Sequence, residues 1–180
     1  MKKFKFLMVP IFVLATIMVI LSGCGSKTSS PNKESSQASM QNAPSQNISE
    51  KIVSNNDLWY MNGSFNAKSH SGYDAYKFDK NSKTVTIYSV SKFHQSYSAA
   101  QKAGDLNKQG TLKYTVAKNS KNQPVFTMKG KLSDIPMSQK VIVKGTVSGK
   151  NKATNLSVSG YKVARNLDGD TTQQIFVTPK

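Results

Sequence analysis

The side chains that could carry out chemistry in this sequence are few and lie far apart. The chain has one cysteine, Cys24, and two histidines, His70 and His94, which have polar neighbours in predicted loops. A structural zinc site takes four ligands, mostly Cys and His, so no metal is expected. The Gly-x-Ser-x-Gly pattern of a nucleophile turn is absent from the sequence. We therefore expect no catalytic residue, no cofactor and no enzymatic activity.

One segment brings two carboxylates close together. Asp168 and Asp170 stand on either side of Gly169, and oxygen-rich turns of this kind can bind calcium. The regular ligand spacing and the closing Glu of an EF-hand are missing. Because Asp and Gly are favoured in tight turns for backbone reasons alone, the segment 166–170 predicts a hairpin turn.

Aromatic residues are concentrated in the first half of the chain beyond Lys51. Packing in a hydrophobic core is the default interpretation, because aromatic rings dominate small cores. The alternative is a barrel mouth or groove in which Trp59, Tyr73 and Tyr76 hold an apolar or sugar-like ligand. Strand alternation cannot point all the aromatic rings inward, so we expect some of them to be exposed or at an edge.

The elements that would position these residues are mainly β-strands. After Lys51, apolar and polar residues alternate in short runs rich in Val, Thr, Ile and Tyr. Ser96 is a suitable N-cap for one short helix that runs to Ala103 and ends at Gly104. The predicted turns are 79–83, 118–123, 148–151 and 166–170. The predicted strands are 58–65, 73–78, 84–90, 111–117, 125–132, 140–147, 154–164 and 174–178.

The expected fold is all-β: an antiparallel meander of about eight strands with one short helix, forming a small barrel or sandwich. A five-stranded Greek-key barrel and an open sandwich are the alternatives. In the sixth strand, Val141, Val143 and Val147 are expected to share one face. The alternation changes phase near Gly160, which predicts a β-bulge there.

The N-terminal segment has the layout of an export signal. Three lysines precede an uncharged apolar run that ends at Leu21. This last residue of the run is also the first residue of the sequence Leu21-Ser22-Gly23-Cys24. This sequence resembles the lipobox of bacterial lipoproteins. The resemblance implies lipid attachment to Cys24, cleavage before it, and a location on the outer face of the cell membrane. A signal anchor that stays as a transmembrane helix and a plain secreted protein are the alternatives.

Three segments follow from these patterns. Residues 1–23 are the expected lipoprotein signal peptide, and 24–50 are the lipidated cysteine and a Ser/Asn/Gln-rich tether, which is too polar to fold. Residues 51–180 are the expected single β-rich domain. With its early aromatic strand, this domain loosely resembles small lipocalin-like bacterial lipoproteins, although the Gly-x-Trp start of lipocalins is missing and the helix lies mid-chain.

The charge of the chain bears on its partners. The sequence has 25 Lys and Arg against 9 Asp and Glu, so the folded part should attract polyanions. The alternative is that the charge confers only solubility and diffuse surface attraction, because the lysines are scattered rather than clustered. An exported protein meets anionic cell-wall polymer and lipid head groups, and no nucleic acid partner is expected. The expected function is a noncatalytic binding module for a small ligand, wall polymer or partner protein. The alternatives are a structural or protective envelope protein that adheres to anionic polymer and, third, a hydrolase.

Overall fold

The structure is a computed structural model that describes residues 44–67 and 72–180 of the chain. The export segment with Cys24, the predicted tether as far as residue 43, and His70 lie outside these residues. The described part contains two short helices and eight strands. In chain order they are α1 (Pro44–Ser54), β1 (Trp59–Asn62), β2 (Tyr73–Asp79), β3 (Thr84–Val90), α2 (Tyr97–Lys102), β4 (Asn107–Lys118), β5 (Pro124–Leu132), β6 (Ile135–Asn151), β7 (Leu156–Leu167) and β8 (Asp170–Pro179).

The strands form a closed barrel. Each strand pairs with the next in antiparallel register, and β1 also pairs with β8, which completes the circle. Closure removes the exposed edges that an open sheet would present. The prediction of an all-β meander of eight strands is confirmed, and of the two predicted arrangements the barrel is the one formed.

The barrel interior is filled by large side chains. Trp59 stacks on Phe176 with ring centroids 5.1 Å apart, and Phe78 meets Tyr114 edge to face at 5.3 Å. Aliphatic side chains from β3 to β7 complete this inner core. The barrel interior is therefore filled by packed side chains over most of the length of the barrel.

A second hydrophobic core lies on the outer wall of β1, β2, β7 and β8. The segment between β3 and β4 folds back over this wall, and the ring of Phe93 stacks on that of Tyr60 at 4.2 Å. Ala100 of α2 belongs to the same cluster. Both faces of β1 are thus buried, which is why strand alternation alone could not place all the aromatic residues.

Helix α2 forms where its capping residues predict it. The Ser96 hydroxyl accepts a hydrogen bond from the Ala99 backbone N–H at 3.1 Å, which caps the first turn. Gly104, just beyond the C-terminal end, has a φ of +65°, a left-handed conformation that glycine adopts without steric cost. The predicted cap and stop are both confirmed.

Helix α1 is the second helix, which the sequence patterns did not predict. Ile52 and Val53 pack into the inner core, and the backbone carbonyl of Ile52 accepts a hydrogen bond from Trp59 Nε1 at 3.1 Å. The helix therefore covers one end of the barrel. Because it begins at Pro44, the last seven residues of the segment predicted as tether are helical. Helix α1 needs few apolar side chains of its own, because residues at the end of the barrel form the other side of the hydrophobic contact.

The predicted bulge at Gly160 is wrong. Pairing of β7 with β8 continues without a shift through Gly160, and the irregularity lies in β6 between Val143 and Gly145. Val158 faces the outer core while Tyr161 faces the inner one, so the apparent change of phase reflects two buried faces. The bulge in β6 also separates Val141 and Val143, in the inner core, from Val147, which packs on the outer one.

Candidate functional site

The three aromatic residues predicted to line a groove do not lie together. Trp59 and Tyr76 are paired across β1 and β2, are fully buried, and both contact Phe176 in the inner core. Tyr73 is three residues before Tyr76 and so lies on the opposite face of β2, where its ring meets that of Phe93 at 5.0 Å. The predicted groove of these three residues is therefore not formed, and Trp59 and Tyr76 act as core residues.

The end of the barrel away from α1 is polar instead. Gln139 of β6 is fully buried, and its Oε1 accepts a hydrogen bond from Arg165 Nε at 2.9 Å. Arg165 Nη1 forms an ion pair with Asp74 Oδ2 at 3.1 Å. The hydroxyl of Tyr76 lies 3.4 Å from both polar atoms of the Gln139 amide. We call Asp74, Gln139, Arg165 and Gln174 the barrel mouth.

The barrel mouth opens into a cavity of about 510 Å³. Its wall includes Asp74, Arg165 and Gln174, together with the amide side chains of Asn62 and Asn107. A volume of this size is in the range of small-molecule sites, although most such sites are more apolar. The side chains here offer hydrogen-bond donors and acceptors to any molecule that enters.

The electrostatics of the barrel mouth are nearly balanced. The Arg165 side chain is 14% exposed and the Asp74 side chain 43%, so the cation is more buried than the anion. Burial raises the pKa of Tyr76 to about 12, with a further increase from the Asp74 charge that Arg165 and Gln139 partly oppose. The Tyr76 hydroxyl therefore stays neutral at physiological pH and cannot serve as a general base there.

Gln174 carries the clearest unmet hydrogen-bonding capacity of the barrel mouth. Among the described residues its Oε1 atom is buried and has no partner. An acceptor in this condition costs about 1–3 kcal/mol of stability, since it has lost water without gaining a protein donor. The polar pattern of β8 gave no signal for this atom, because Gln173 and Gln174 look alike in the sequence.

His94 lies in a cluster that resembles catalytic triads in composition only. Its Nε2 is 2.6 Å from Asp105 Oδ2, and the Ser91 hydroxyl donates to the same oxygen at 2.7 Å. Nucleophile activation requires the hydroxyl to bond the histidine, with the carboxylate on the other ring nitrogen. Here the Ser91 hydroxyl and the His94 ring both bond the same carboxylate, that of Asp105.

The role of this cluster is to fix the segment that covers the outer core. The Tyr60 hydroxyl accepts a hydrogen bond from the His94 backbone N–H at 2.9 Å. Burial would raise the pKa of Asp105, but hydrogen bonds from His94 and Ser91 outweigh it and hold that pKa below its usual value. Asp105 is therefore an ionised structural anchor at neutral pH.

The segment 166–170 forms the predicted hairpin turn. Asp168 and Gly169 have φ angles of +48° and +108° between the paired residues Leu167 and Asp170, the conformation of a two-residue turn. One Asp168 oxygen accepts a hydrogen bond from the Ser138 backbone at 3.3 Å. Over 44–67 and 72–180, no group of three or more His, Cys, Asp or Glu side chains could hold a metal ion.

A basic face covers the outside of β4, β5 and β6. The segment from Asn107 to Asn151 contains nine lysines, all exposed, and a single acidic residue, Asp134. Lys113 and Lys129 stand directly opposite each other in the pairing of β4 with β5. We call the outward lysines of these three strands the basic face: Lys108, Lys113, Lys129, Lys131, Lys140 and Lys144.

Comparison of the chain with protein-family models, with curated proteins and with solved structures found no match. None of the helices in the part of the chain that the structure describes is long and apolar enough to cross a bilayer. The two local features described above, the barrel mouth and the basic face, therefore carry the functional argument.

Proposed function

We propose that this protein is a lipid-anchored, noncatalytic module of the cell envelope, whose basic face binds an anionic wall polymer. The anchor is argued from the lipobox-like Leu21-Ser22-Gly23-Cys24, which follows directly on an apolar export segment. Polymer binding is argued from the distribution of charge over the barrel. The observation that carries it is that the segment 107–151 has nine exposed lysines, six of them in the basic face, and a single acidic residue.

The pairing of Lys113 with Lys129 supports this function. Like charges directly opposite each other on neighbouring strands destabilise a sheet. The two ammonium groups are on long, exposed side chains that can move apart, so the repulsion in water is small and is screened by salt. A bound polyanion would remove this repulsion, so the arrangement costs stability in the free protein and favours binding.

The filled interior also favours an external binding surface. Rings of Trp59, Phe126 and Phe176 occupy the space in which a lipocalin-like barrel would hold an apolar ligand. Large apolar ligands would have to displace packed side chains to enter. The outer wall of β1, β2 and β8 is covered by the Phe93 segment, whereas the outer wall of β4, β5 and the first half of β6 faces solvent.

Location selects among the polyanions that could bind. With the chain held outside the cell by lipid on Cys24, phosphodiester polymers of the wall are the anionic chains within reach, and nucleic acid is not. Anionic lipid head groups are the competing partner, since the tether would keep the barrel near the membrane. The experiment must therefore compare a polymer with a lipid surface.

Salt dependence of binding tests the proposal. We would measure the affinity of the soluble domain for poly(glycerol phosphate) at several salt concentrations, beside uncharged dextran. On a flexible strand, log K falls with log salt, and each phosphate contact adds about 0.7 to the magnitude of this negative slope. A variant with Lys113, Lys129, Lys131 and Lys140 changed to Gln should reduce the magnitude of that slope by about 3.

A matched variant controls for net charge. Lys92, Lys102, Lys152 and Lys180 are equally exposed but lie around the covered outer wall, and their change to Gln removes the same charge. This variant should keep most of the affinity. Equal loss in both variants would mean diffuse attraction and would refute a defined face. Binding to phosphatidylglycerol vesicles without binding to the polymer would assign the face to the membrane instead.

A further inference from the structure

The barrel mouth contains a largely buried cation whose ion-pair partner is partly exposed. Arg165 is the single arginine of the chain, and its side chain is 14% exposed within the barrel. The next inward positions on β7, Val163 and Tyr161, are core residues. An ion pair with one partner 43% exposed contributes little to stability, so stability alone does not explain Arg165 and Asp74.

The side chain of Arg165 is held in place before any ligand arrives. Gln139 is fixed between the Tyr76 hydroxyl and Arg165 Nε, and this contact sets the plane of the guanidinium. Asp74 holds the other end of the guanidinium through Nη1. Preorganised groups of this kind lose little freedom on binding, which favours affinity.

The unmet acceptor indicates what kind of group would bind. Gln174 Oε1 is buried and lacks a donor among the described residues, while the Asp74 carboxylate is partly exposed to the same cavity. A ligand hydroxyl or N–H could donate to Asp74 directly. It could donate to Gln174 Oε1 once the Gln174 side chain, which lines the cavity, turns this buried atom towards it. Its oxygens could accept from the Asn107 amide and from Arg165, while the Asn62 amide nitrogen already donates to the Ala67 carbonyl.

The charge of the site selects an uncharged ligand. Asp74 already neutralises Arg165, so an anion would place a second negative charge beside that carboxylate. A purely apolar ligand would strip water from the exposed part of the Asp74 carboxylate without supplying a hydrogen-bond donor, at high cost. A molecule with many hydroxyl groups and no net charge meets neither penalty.

We infer that the barrel mouth binds a neutral polyhydroxyl compound, a small saccharide, in the cavity of about 510 Å³. Gln174 Oε1 and Asp74 accept hydrogen bonds from its hydroxyl groups, and Arg165 donates to its oxygens. Gln139 and Tyr76 are positioning residues, because they act through Arg165. Asp74, Gln139 and Arg165 face the barrel interior whereas the lysines of the basic face point outward, so either binding activity can fail while the other stands.

NMR on the isotope-labelled domain tests this inference. The probes are glucose, N-acetylglucosamine and its disaccharide, with glucuronic acid and glucose 6-phosphate as anionic counterparts. The Arg165 Nε–H and the Gln174 side-chain amide should shift in the presence of a neutral sugar at millimolar concentration. The indole N–H of Trp59, beneath α1 at the other end of the barrel, should not shift.

A pair of variants on one strand provides the control. Gln174→Leu removes the unmet acceptor, whereas Gln173→Leu changes the adjacent, exposed residue, which accepts a hydrogen bond from Lys144 on the outer surface. Loss of one hydrogen bond should weaken sugar binding about three- to tenfold in Gln174→Leu and leave Gln173→Leu unchanged. Asp74→Asn, which retains an acceptor but unbalances Arg165, should improve binding of the anionic sugars.

Two results would overturn the inference. If none of the neutral sugars shifts the Arg165 and Gln174 signals, the site does not take this class of ligand. If only the anionic sugars bind, or if Gln174→Leu binds as tightly as the wild type, the assigned chemistry is wrong. Loss of polymer binding in the lysine variants would leave these outcomes unaffected.

Discussion

Docking of helix α1 on the barrel end can be tested through Ile52. This side chain is fully buried in the inner core, and its backbone carbonyl accepts the hydrogen bond of the Trp59 indole at 3.1 Å. The substitution Ile52→Ala removes three carbon atoms from the contact while leaving the backbone hydrogen bond available. The effect therefore measures packing of the helix against the barrel.

The expected magnitude follows from the burial. An Ile→Ala substitution at a fully buried site costs about 2–5 kcal/mol, as transfer and cavity contributions combined. Because alanine has the higher helix propensity, α1 itself should gain a few tenths of a kcal/mol. We expect a net loss of about 3 kcal/mol, a large share of the roughly 5–15 kcal/mol that stabilises a domain.

Urea unfolding followed by tryptophan fluorescence is a suitable assay, because Trp59 is the single tryptophan and lies directly beneath α1. Lys51→Ala is the matched control, since it makes the same helix substitution at an exposed site. The midpoint should fall clearly for Ile52→Ala and stay near the wild-type value for Lys51→Ala. Equal midpoints for Ile52→Ala and the wild type would refute the docking of α1 as a part of the core.

Four further outcomes are expected. A Cβ at Gly160 would overlap a backbone carbonyl of β8, so Gly160→Ala should cost roughly 1–3 kcal/mol of stability. At Gly145 an added Cβ meets no atom within 4 Å, so Gly145→Ala should be tolerated. Thermal unfolding of both variants checks this prediction. The lowered pKa of Asp105 means that its ionised form stabilises the fold above the usual pKa of about 4, and that this stabilisation is lost as the pH falls through the lowered value. Asp105→Asn should therefore be destabilised at neutral pH and approach the wild type in acid, as followed by unfolding at a series of pH values. Gln174→Leu should raise stability by about 1 kcal/mol in urea unfolding, because it removes an unpaired buried acceptor; a loss of stability would show that Oε1 has a partner. Cys24→Ala should release the protein from the membrane fraction, and retention at wild-type levels would contradict lipid anchoring.

Local sequence signals were sufficient for most of the strands and for α2. Period-two alternation marks β3 from Thr84 to Val90 at its observed bounds, and Ser96 and Gly104 mark the ends of α2. Asp168-Gly169 marks a turn because its backbone conformation suits those two residues. These features depend on neighbouring residues only, and so they are legible in one sequence.

Features that depend on distant contacts were misread. The segment 148–151 was expected to turn because of its Ser, Gly and Asn, yet β6 continues to Asn151. There Gly149 faces the ring of Phe65, and the Asn151 side chain donates to the Phe65 carbonyl at 2.7 Å. Helix α1 likewise needs the barrel end to bury Ile52. In both cases a tertiary partner decides the conformation.

The candidate sites also combine features that the sequence alone predicts with features that depend on distant contacts. The excess of lysine and the scarcity of acidic residues between 107 and 151 are evident from the sequence, but only the strand pairing shows that Lys113 faces Lys129. The barrel mouth unites Asp74, Gln139 and Arg165 from three strands. No spacing in the sequence relates those residues, because barrel closure brings them together.

The central claim is that β4–β6 form the polymer-binding surface, and chemical-shift mapping tests it most directly. The labelled domain would be titrated with a short poly(glycerol phosphate) oligomer while its backbone amides are observed. We predict that the largest shifts occur at and beside Lys113, Lys129 and Lys140. Shifts centred on Lys92 and Lys102, or spread evenly over the barrel, would contradict the claim.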